Sequence, residues 1–254
     1  MRVANNKESV MLIKLELQKF FKKTSTWVMP LTIVVLGLLL ALANAIGHSE
    51  TVRTLVNQEF TGTLALVTDL MLLGIAGRVI TSEFTFGTMN MLFAQRFTRR
   101  QIFVAKLVTV AVAFVLLQAT LFVTMVIVSL LFGQAWLIDL GGYAGYLFGS
   151  VISSILFVSV MLVIANLIRN DLLVVVIGIL MILMFEVIGA AIVGHGILPL
   201  DYSPLGAFYV SALAGLPDVM AEYQMSGWLV GLVTIVYSGV LYGIALTLFK
   251  RREV

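Results

Sequence analysis

Six long apolar runs divide the sequence, and each approaches the roughly 20 residues that a helix needs to cross a bilayer. Charged residues collect between these runs and seldom interrupt them. The pattern predicts an all-α integral membrane protein, with a single transmembrane domain over residues 1–254 and six transmembrane helices. The predicted spans cover residues 27–47, 62–80, 107–132, 143–168, 172–193 and 227–249.

Residues 8–23, which precede the first span, show the pattern of an interfacial amphipathic helix. On a helical wheel the apolar face consists of Val10, Ile13, Leu17, Phe20 and Phe21, and the opposite face consists of Glu16, Lys19, Lys22 and Lys23. Such a helix rests in the headgroup layer with its lysines toward anionic lipid. The alternative interpretation is a basic leader that is merely solvated.

Residues 195–226 separate the last two spans and contain three of the four prolines, Pro199, Pro204 and Pro217. The modestly apolar piece between the prolines is too short to cross a membrane. We therefore expect residues 195–226 to form an outer segment that either lies at the interface or enters the membrane and returns.

Composition agrees with a membrane protein, because 61% of the 254 residues are hydrophobic and 11% are charged. Soluble domains contain about 25% charged residues on average. The absence of cysteine excludes disulfides, thiol nucleophiles and cysteine metal sites. The basic residues flank the spans and do not gather on one soluble surface, so no nucleic-acid partner is predicted.

The distribution of basic residues predicts the orientation in the membrane. All but one of the 16 lysine and arginine residues fall in the termini, in the loops after the second and fourth spans or, in the case of Arg78, at the inner end of the second span. The exception is Arg53, in the loop after the first span. The positive-inside rule therefore predicts a multi-pass protein of the cell membrane with both termini in the cytoplasm.

No catalytic motif accompanies this topology. The sequence lacks the G-x-S-x-G pattern of hydrolases, the H-E-x-x-H pattern of zinc proteases and the glycine-rich loop of nucleotide-binding proteins. Its two histidines, His48 and His195, lie at the outer ends of predicted spans. We predict that this chain is no enzyme, with no catalytic residue, no metal site and no cofactor of its own.

Polar residues inside the predicted spans are candidates for a substrate path. Asp69 and Glu186 lie near the middle of the second and fifth spans, where a charge needs a partner or a water-filled cavity. Asn44 and Gln118 are further candidates, although amides often serve only as hydrogen bonds between helices. A substrate path and a purely structural role both stay open for these residues.

Residues 81–106, TSEFTFGTMNMLFAQRFTRRQIFVAK, form a polar-edged segment between the second and third spans. Its aromatic residues, methionines and arginines suit docking to another protein. The elements that resemble ABC-2 type transporter permeases are Glu83–Phe84, Gly87–Thr88, Met91–Leu92, Arg99 and Lys106. The resemblance extends along the chain through an interfacial N-terminal helix, six spans and a Ser-Pro pair before the last span. Met89–Asn90 departs from the apolar–acidic pair that is usual in the family.

The resemblance implies that residues 81–106 are a cytoplasmic coupling segment that docks into a separate ATP-binding cassette subunit. The residues expected at this contact are Glu83, Phe84, Gly87, Thr88, Met91, Leu92, Arg96, Arg99 and Arg100. ATP and Mg²⁺ would then be bound by the partner, and a second permease subunit, identical or different, would complete the transporter. The resemblance also suggests export of a peptide, an antibiotic or another amphipathic substrate, as in antimicrobial-peptide resistance and immunity systems.

Two other classes of function stay open from the sequence. An ion-coupled secondary transporter would use Asp69 and Glu186 directly. A non-transporting membrane anchor or sensor subunit would use residues 81–106 for docking alone. The substrate and the direction of transport do not follow from the sequence.

Overall fold

The computed structural model describes residues 2–46, 50–85, 97–132, 140–168, 170–194, 202–211, 213, 220–221 and 224–251. Within these ranges the regular structure is entirely helical, which confirms the predicted fold class. The helices there are α1 Arg2–Lys22, α2 Thr24–Ile46, α3 Glu50–Thr85, α4 Arg99–Phe132, α5 Leu140–Leu167, α6 Asp171–Gly194, α7 Pro204–Ser211 and α8 Gly227–Arg251.

Six of the described helices, α2 to α6 and α8, are long and apolar enough to cross a membrane. This confirms the six predicted spans, although their limits differ. The largest differences are in α3 and α4. Helix α3 begins at Glu50 and ends at Thr85, beyond both limits of its predicted span, and α4 begins at Arg99, before its predicted start at residue 107. Side chains such as Leu31, Val35 and Leu39 on α2 are exposed, as expected of a surface that contacts lipid tails.

The chain folds as two compact units. Unit 1 comprises Met1–Leu72 and Val104–Asp139, and unit 2 comprises Leu73–Phe103 and Leu140–Val254. Helices α1 and α2 belong wholly to unit 1, and α5 to α8 belong wholly to unit 2. Helices α3 and α4 contribute residues to both.

The core of unit 1 is formed by buried apolar side chains of α2, α3 and α4, among them Ile33, Leu64 and Leu121. Gly37 on α2 allows a close approach, since a Cβ atom there would lie 2.4 Å from Cγ2 of Thr124 on α4. Small residues at such positions let membrane helices pack tightly without a hydrophobic driving force.

In unit 2 the helices α5 and α8 run side by side in the same direction. Ile152 lies close to Gly231, and further along both helices Nδ2 of Asn166 is 3.4 Å from the carbonyl oxygen of Ala245. Two spans with one span between them must cross a membrane in the same direction. The parallel packing therefore agrees with a chain that crosses the bilayer at α5, α6 and α8 in turn.

Helix α7 lies within the predicted outer segment 195–226 and packs into unit 2. The Ser203 hydroxyl accepts a hydrogen bond from the Gly206 backbone N–H at 3.3 Å, and Pro204 occupies the first helical position, where a missing N–H costs nothing. Val210 is fully buried in a cluster with Ile152, Met220, Met225 and Val230. The described part of residues 195–226 is thus a packed element of unit 2.

Candidate coupling site

The structure describes both ends of the predicted coupling segment and leaves its middle undescribed. Helix α3 ends at Thr85 and helix α4 begins at Arg99. The predicted contact residues Gly87, Thr88, Met91, Leu92 and Arg96 lie outside the described residues, as does the side chain of Phe84. Their role at the site stays a prediction.

The upstream end of the segment is a direct continuation of α3. The Thr81 hydroxyl donates to the Gly77 carbonyl at 2.8 Å, and the Thr85 hydroxyl donates to the Thr81 carbonyl at 3.1 Å. These bonds satisfy both hydroxyls within the helix, so polar residues do not end it at residue 80. Glu83 is 8% exposed on this last stretch of α3.

The downstream end begins with a capping box at the start of α4. The Thr98 hydroxyl accepts a hydrogen bond from the Gln101 backbone N–H at 3.3 Å, and Oε1 of Gln101 accepts one from the Thr98 backbone N–H at 2.8 Å. This reciprocal pair satisfies two backbone donors that would otherwise be unpaired at a helix start. The last residues of the predicted coupling segment, 99–106, therefore form the first turns of α4.

The capping box gives a direct prediction. Thr98→Ala should destabilise the first turn of α4 by about 1 kcal/mol, because the Gln101 N–H loses its acceptor. Amide hydrogen exchange in residues 99–103 should accelerate several-fold. Thr98→Ser keeps the hydroxyl and should exchange as the unchanged protein does. Equal exchange in all three proteins would show that the hydroxyl does not set the helix start.

Arg99 forms hydrogen bonds with the carboxyl end of α8. Its guanidinium donates to the carbonyl oxygens of Lys250 at 2.9 Å and of Phe249 at 3.4 Å. The rings of Phe103 and Phe249 pack below this contact with their centroids 5.6 Å apart. A cation on the last carbonyls of a helix is favourable because those groups lack partners within the helix. Arg99 thus has an intramolecular role, whereas the neighbouring Arg100 is exposed.

A weaker ion pair joins α3 to the start of α6 in unit 2. Arg78 on α3 lies 3.8 Å from Asp171 at the start of α6, and the two side chains are 51% and 28% exposed. Such an exposed pair contributes little stability. The Asn170 side chain caps α6 through the backbone N–H groups of Leu172 and Leu173. Within unit 2, these contacts connect α3 to the start of α6, and Arg99 connects the start of α4 to the end of α8.

A buried ion pair joins α1 to α4 in unit 1. Nζ of Lys106 lies 2.7 Å from Oε2 of Glu16, and the two side chains are 4% and 7% exposed. Lys19 lies 3.3 Å from the other carboxylate oxygen. Burial alone would raise the pKa of Glu16, but the charges and hydrogen bonds of Lys106 and Lys19 outweigh it and lower the pKa below its usual value.

The structure shows which side of the interfacial helix packs against the protein. Its packed face consists of Leu12, Glu16 and Phe20, whereas Val10 is 63% exposed and Phe21 is 38% exposed, as expected of apolar side chains that face lipid. The placement of Glu16 among exposed lysines was therefore wrong. The helical wheel sorts residues by polarity, and it could not show that Lys106 supplies Glu16 with a buried partner.

Comparison with known families decides the classification of the chain. The family described as ABC-2 family transporter protein matches residues 12–193. The chain belongs to the ABC-2 family. The matched range includes the whole coupling segment and ends within α6. A comparison with curated proteins found no match.

As an ABC-2 permease, the protein is a multi-pass membrane protein of the transporter class. Permease domains of this family typically lack ATPase activity, and they generally pair with ATP-binding subunits. Across the described ranges, no group of three or more histidine, aspartate or glutamate side chains could hold a metal ion.

The polar candidates of this ABC-2 permease lie at different places in the fold. Asp69 on α3 is partly buried and Gln118 on α4 is 5% exposed, and both belong to unit 1. The side chains of Asn44 and Glu186 lie outside the described residues. Participation of these four residues in a substrate path stays a prediction.

Proposed function

We propose that this ABC-2 permease is the membrane subunit of an ATP-driven exporter. It works with a second permease subunit and with ATP-binding subunits that dock on the coupling segment at its predicted contact residues, from Glu83 to Arg100. The observation that carries this proposal is the fixing of both ends of that segment, upstream by α3 and downstream by the capping box of Thr98 and the contact of Arg99 with α8. A segment held at both ends can pass a displacement to the helices that hold it.

The mechanism follows from the continuity of the helices. Binding of ATP and Mg²⁺ on the partner moves the coupling segment, and no ATP chemistry takes place on this chain. Because Thr85 ends α3 and Arg99 begins α4, movement of the segment displaces two spans directly. Packed helices respond by switching between discrete arrangements, since tightly packed interiors do not deform continuously.

Orientation and substrate form the finer part of the proposal. Both termini and the coupling segment face the cytoplasm, which is supported by the lysine and arginine distribution along the sequence. The substrate is a peptide, an antibiotic or another amphipathic molecule, a proposal supported by family resemblance alone. Asp69, Glu186, Asn44 and Gln118 are the residues that would contact it within the bilayer.

Co-purification tests the docking step. The wild-type chain should retain an ATP-binding subunit from its native membrane, and a Glu83→Gln/Gly87→Leu variant should lose it. Arg100→Glu should weaken retention, because Arg100 is an exposed residue of the predicted contact. Arg53→Glu is the matched control, since it reverses one charge on the side predicted to be opposite.

Two outcomes would contradict the proposed docking. One is a wild-type chain that retains no ATP-binding subunit, and the other is equal retention by all four proteins. Transport in vesicles that runs on a proton gradient without ATP would instead support an ion-coupled transporter, with Asp69 and Glu186 as its first candidates.

A further inference from the structure

A buried ion pair between Glu16 and Lys106 connects α1 to α4 in unit 1. Both side chains are almost fully removed from solvent, and the 2.7 Å separation is that of a charge-assisted hydrogen bond. Lys19 adds a second hydrogen bond to the same carboxylate. The carboxylate therefore holds one cation from its own helix and one from α4.

Helix α1 is also fixed at its junction with α2. The Thr26 hydroxyl donates to the carbonyl of Phe20, and Nε1 of Trp27 donates to the carbonyl of Phe21 at 3.0 Å. These bonds satisfy carbonyl groups at the end of α1 that have no N–H donor within the helix. Phe21 and Trp27 pack together with their ring centroids 6.2 Å apart. The angle between α1 and α2 is thus set by side chains on both sides of the bend.

A buried ion pair adds little to the stability of a protein compared with apolar residues in the same place. Replacing such a pair by apolar residues of similar volume is often neutral or stabilising, whereas removing one partner is strongly destabilising. What the pair supplies is a unique geometry, because the carboxylate and the ammonium group must meet for either to be buried. Here that requirement applies to α1 and to α4 at Lys106.

We propose that the Glu16–Lys106 pair makes α1 a rigid arm attached to α4, so that α1 moves with α4 when the coupling segment is displaced. Glu16 and Lys106 are positioning residues in this scheme, since neither needs to contact substrate or nucleotide. The outward face of the arm carries exposed apolar side chains, Val10 and Met11, which suit the headgroup layer. The rigid attachment is a property of this chain, and only the source of its movement rests on the proposed function.

Spin-label distances test the attachment without any partner subunit. The chain has no cysteine, so Met11→Cys and Val104→Cys introduce a unique pair of labels at exposed positions of unit 1. The labelled chain should give one narrow distance distribution. Adding Glu16→Leu and Lys106→Met should broaden it clearly, because the apolar pair keeps burial but loses the fixed geometry. Adding Lys14→Met, which removes an exposed lysine of the same helix, should leave the distribution narrow. A distribution that stays narrow in the apolar double variant would overturn the proposal.

Transport measurements test whether the attachment matters for coupling. The Glu16→Leu/Lys106→Met variant should still co-purify with the ATP-binding subunit. In vesicles that contain both subunits, the amount of substrate moved per ATP hydrolysed should fall about tenfold, which lies within the usual range of allosteric coupling. Unchanged transport per ATP would overturn the role in coupling. If the wild-type chain binds no ATP-binding subunit, the proposed function fails, and the spin-label result still decides the attachment.

Discussion

Replacing Lys106 alone with methionine is expected to lower the free energy of unfolding by about 3 kcal/mol at neutral pH. Methionine keeps most of the side-chain volume, so the loss comes from leaving the Glu16 carboxylate buried without its closest cation. Lys19 remains 3.3 Å from that carboxylate, which places the expected loss at the low end of the range for broken buried pairs. Thermal or denaturant unfolding of the purified chain measures the effect.

Protonation of Glu16 limits this loss and gives it a pH dependence. For a carboxylate with the ordinary pKa of 4.5, protonation at pH 7 costs about 3–4 kcal/mol, since each pKa unit corresponds to about 1.4 kcal/mol. The loss in the Lys106→Met variant cannot exceed this cost by much, because Glu16 can take up a proton instead. In the unchanged protein the pKa of Glu16 is lowered, so its stabilising contribution is present above pH 4.5 and is lost as the pH falls further. The difference between Lys106→Met and the unchanged protein should therefore shrink as the pH falls through 4.5.

Two comparison variants isolate the ion pair from general effects of losing a lysine. Adding Glu16→Leu to Lys106→Met should recover most of the stability, because no buried charge remains. Lys14→Met removes a lysine from the exposed side of α1 and should leave stability nearly unchanged. If Lys106→Met and Lys14→Met cost the same, the buried pair does not contribute as described.

Gly189→Ala is the second substitution with a large expected effect, at about 1–3 kcal/mol of destabilisation. A Cβ atom at this position of α6 would lie 2.4 Å from Cβ of Tyr209 and 3.1 Å from the carbonyl oxygen of Leu205, both on α7. These atoms belong to the backbone of α7 or are attached directly to it, so α7 itself must move away from α6. Thermal unfolding should record the loss, together with faster hydrogen exchange in α7.

The matched control is Gly178→Ala on the same helix. There an added Cβ meets only Sδ and Cε of Met161, each at 2.7 Å, and the end of a methionine side chain can turn aside. Tyr209→Ala should fail to rescue Gly189→Ala, because alanine keeps the Cβ atom that causes the clash. Equal costs for the two glycine substitutions would show that α7 adapts as easily as a single flexible side chain.

The six spans could be predicted because a helix that crosses a bilayer needs a long apolar run, and such runs are visible in the sequence. The capping box at Thr98 and Gln101 was also available from the sequence, since a threonine three positions before a glutamine is a known helix start. Our prediction started the third span at residue 107, eight residues after the observed start of the helix, because it followed apolar character and did not use the capping signal.

Other features of the site depend on contacts that sequence spacing does not show. Glu16 and Lys106 are far apart in the chain, and nothing near either residue marks it as buried. The acceptors for Arg99 are backbone carbonyls at the end of α8. Every residue has a backbone carbonyl, so the sequence does not show which of them accepts a hydrogen bond from Arg99. Gly87, Met91 and the other central contact residues remain predictions based on family resemblance.

The contact of Arg99 with α8 has a consequence for how the chain matures. Arg99 precedes Phe249 by 150 residues and Lys250 by 151, so the ribosome adds these two acceptors long after Arg99. The downstream anchor of the coupling segment is therefore complete only once α8 has been synthesised and inserted. A prematurely terminated chain would lack that anchor, so unfinished permeases would present an incomplete surface to an ATP-binding partner.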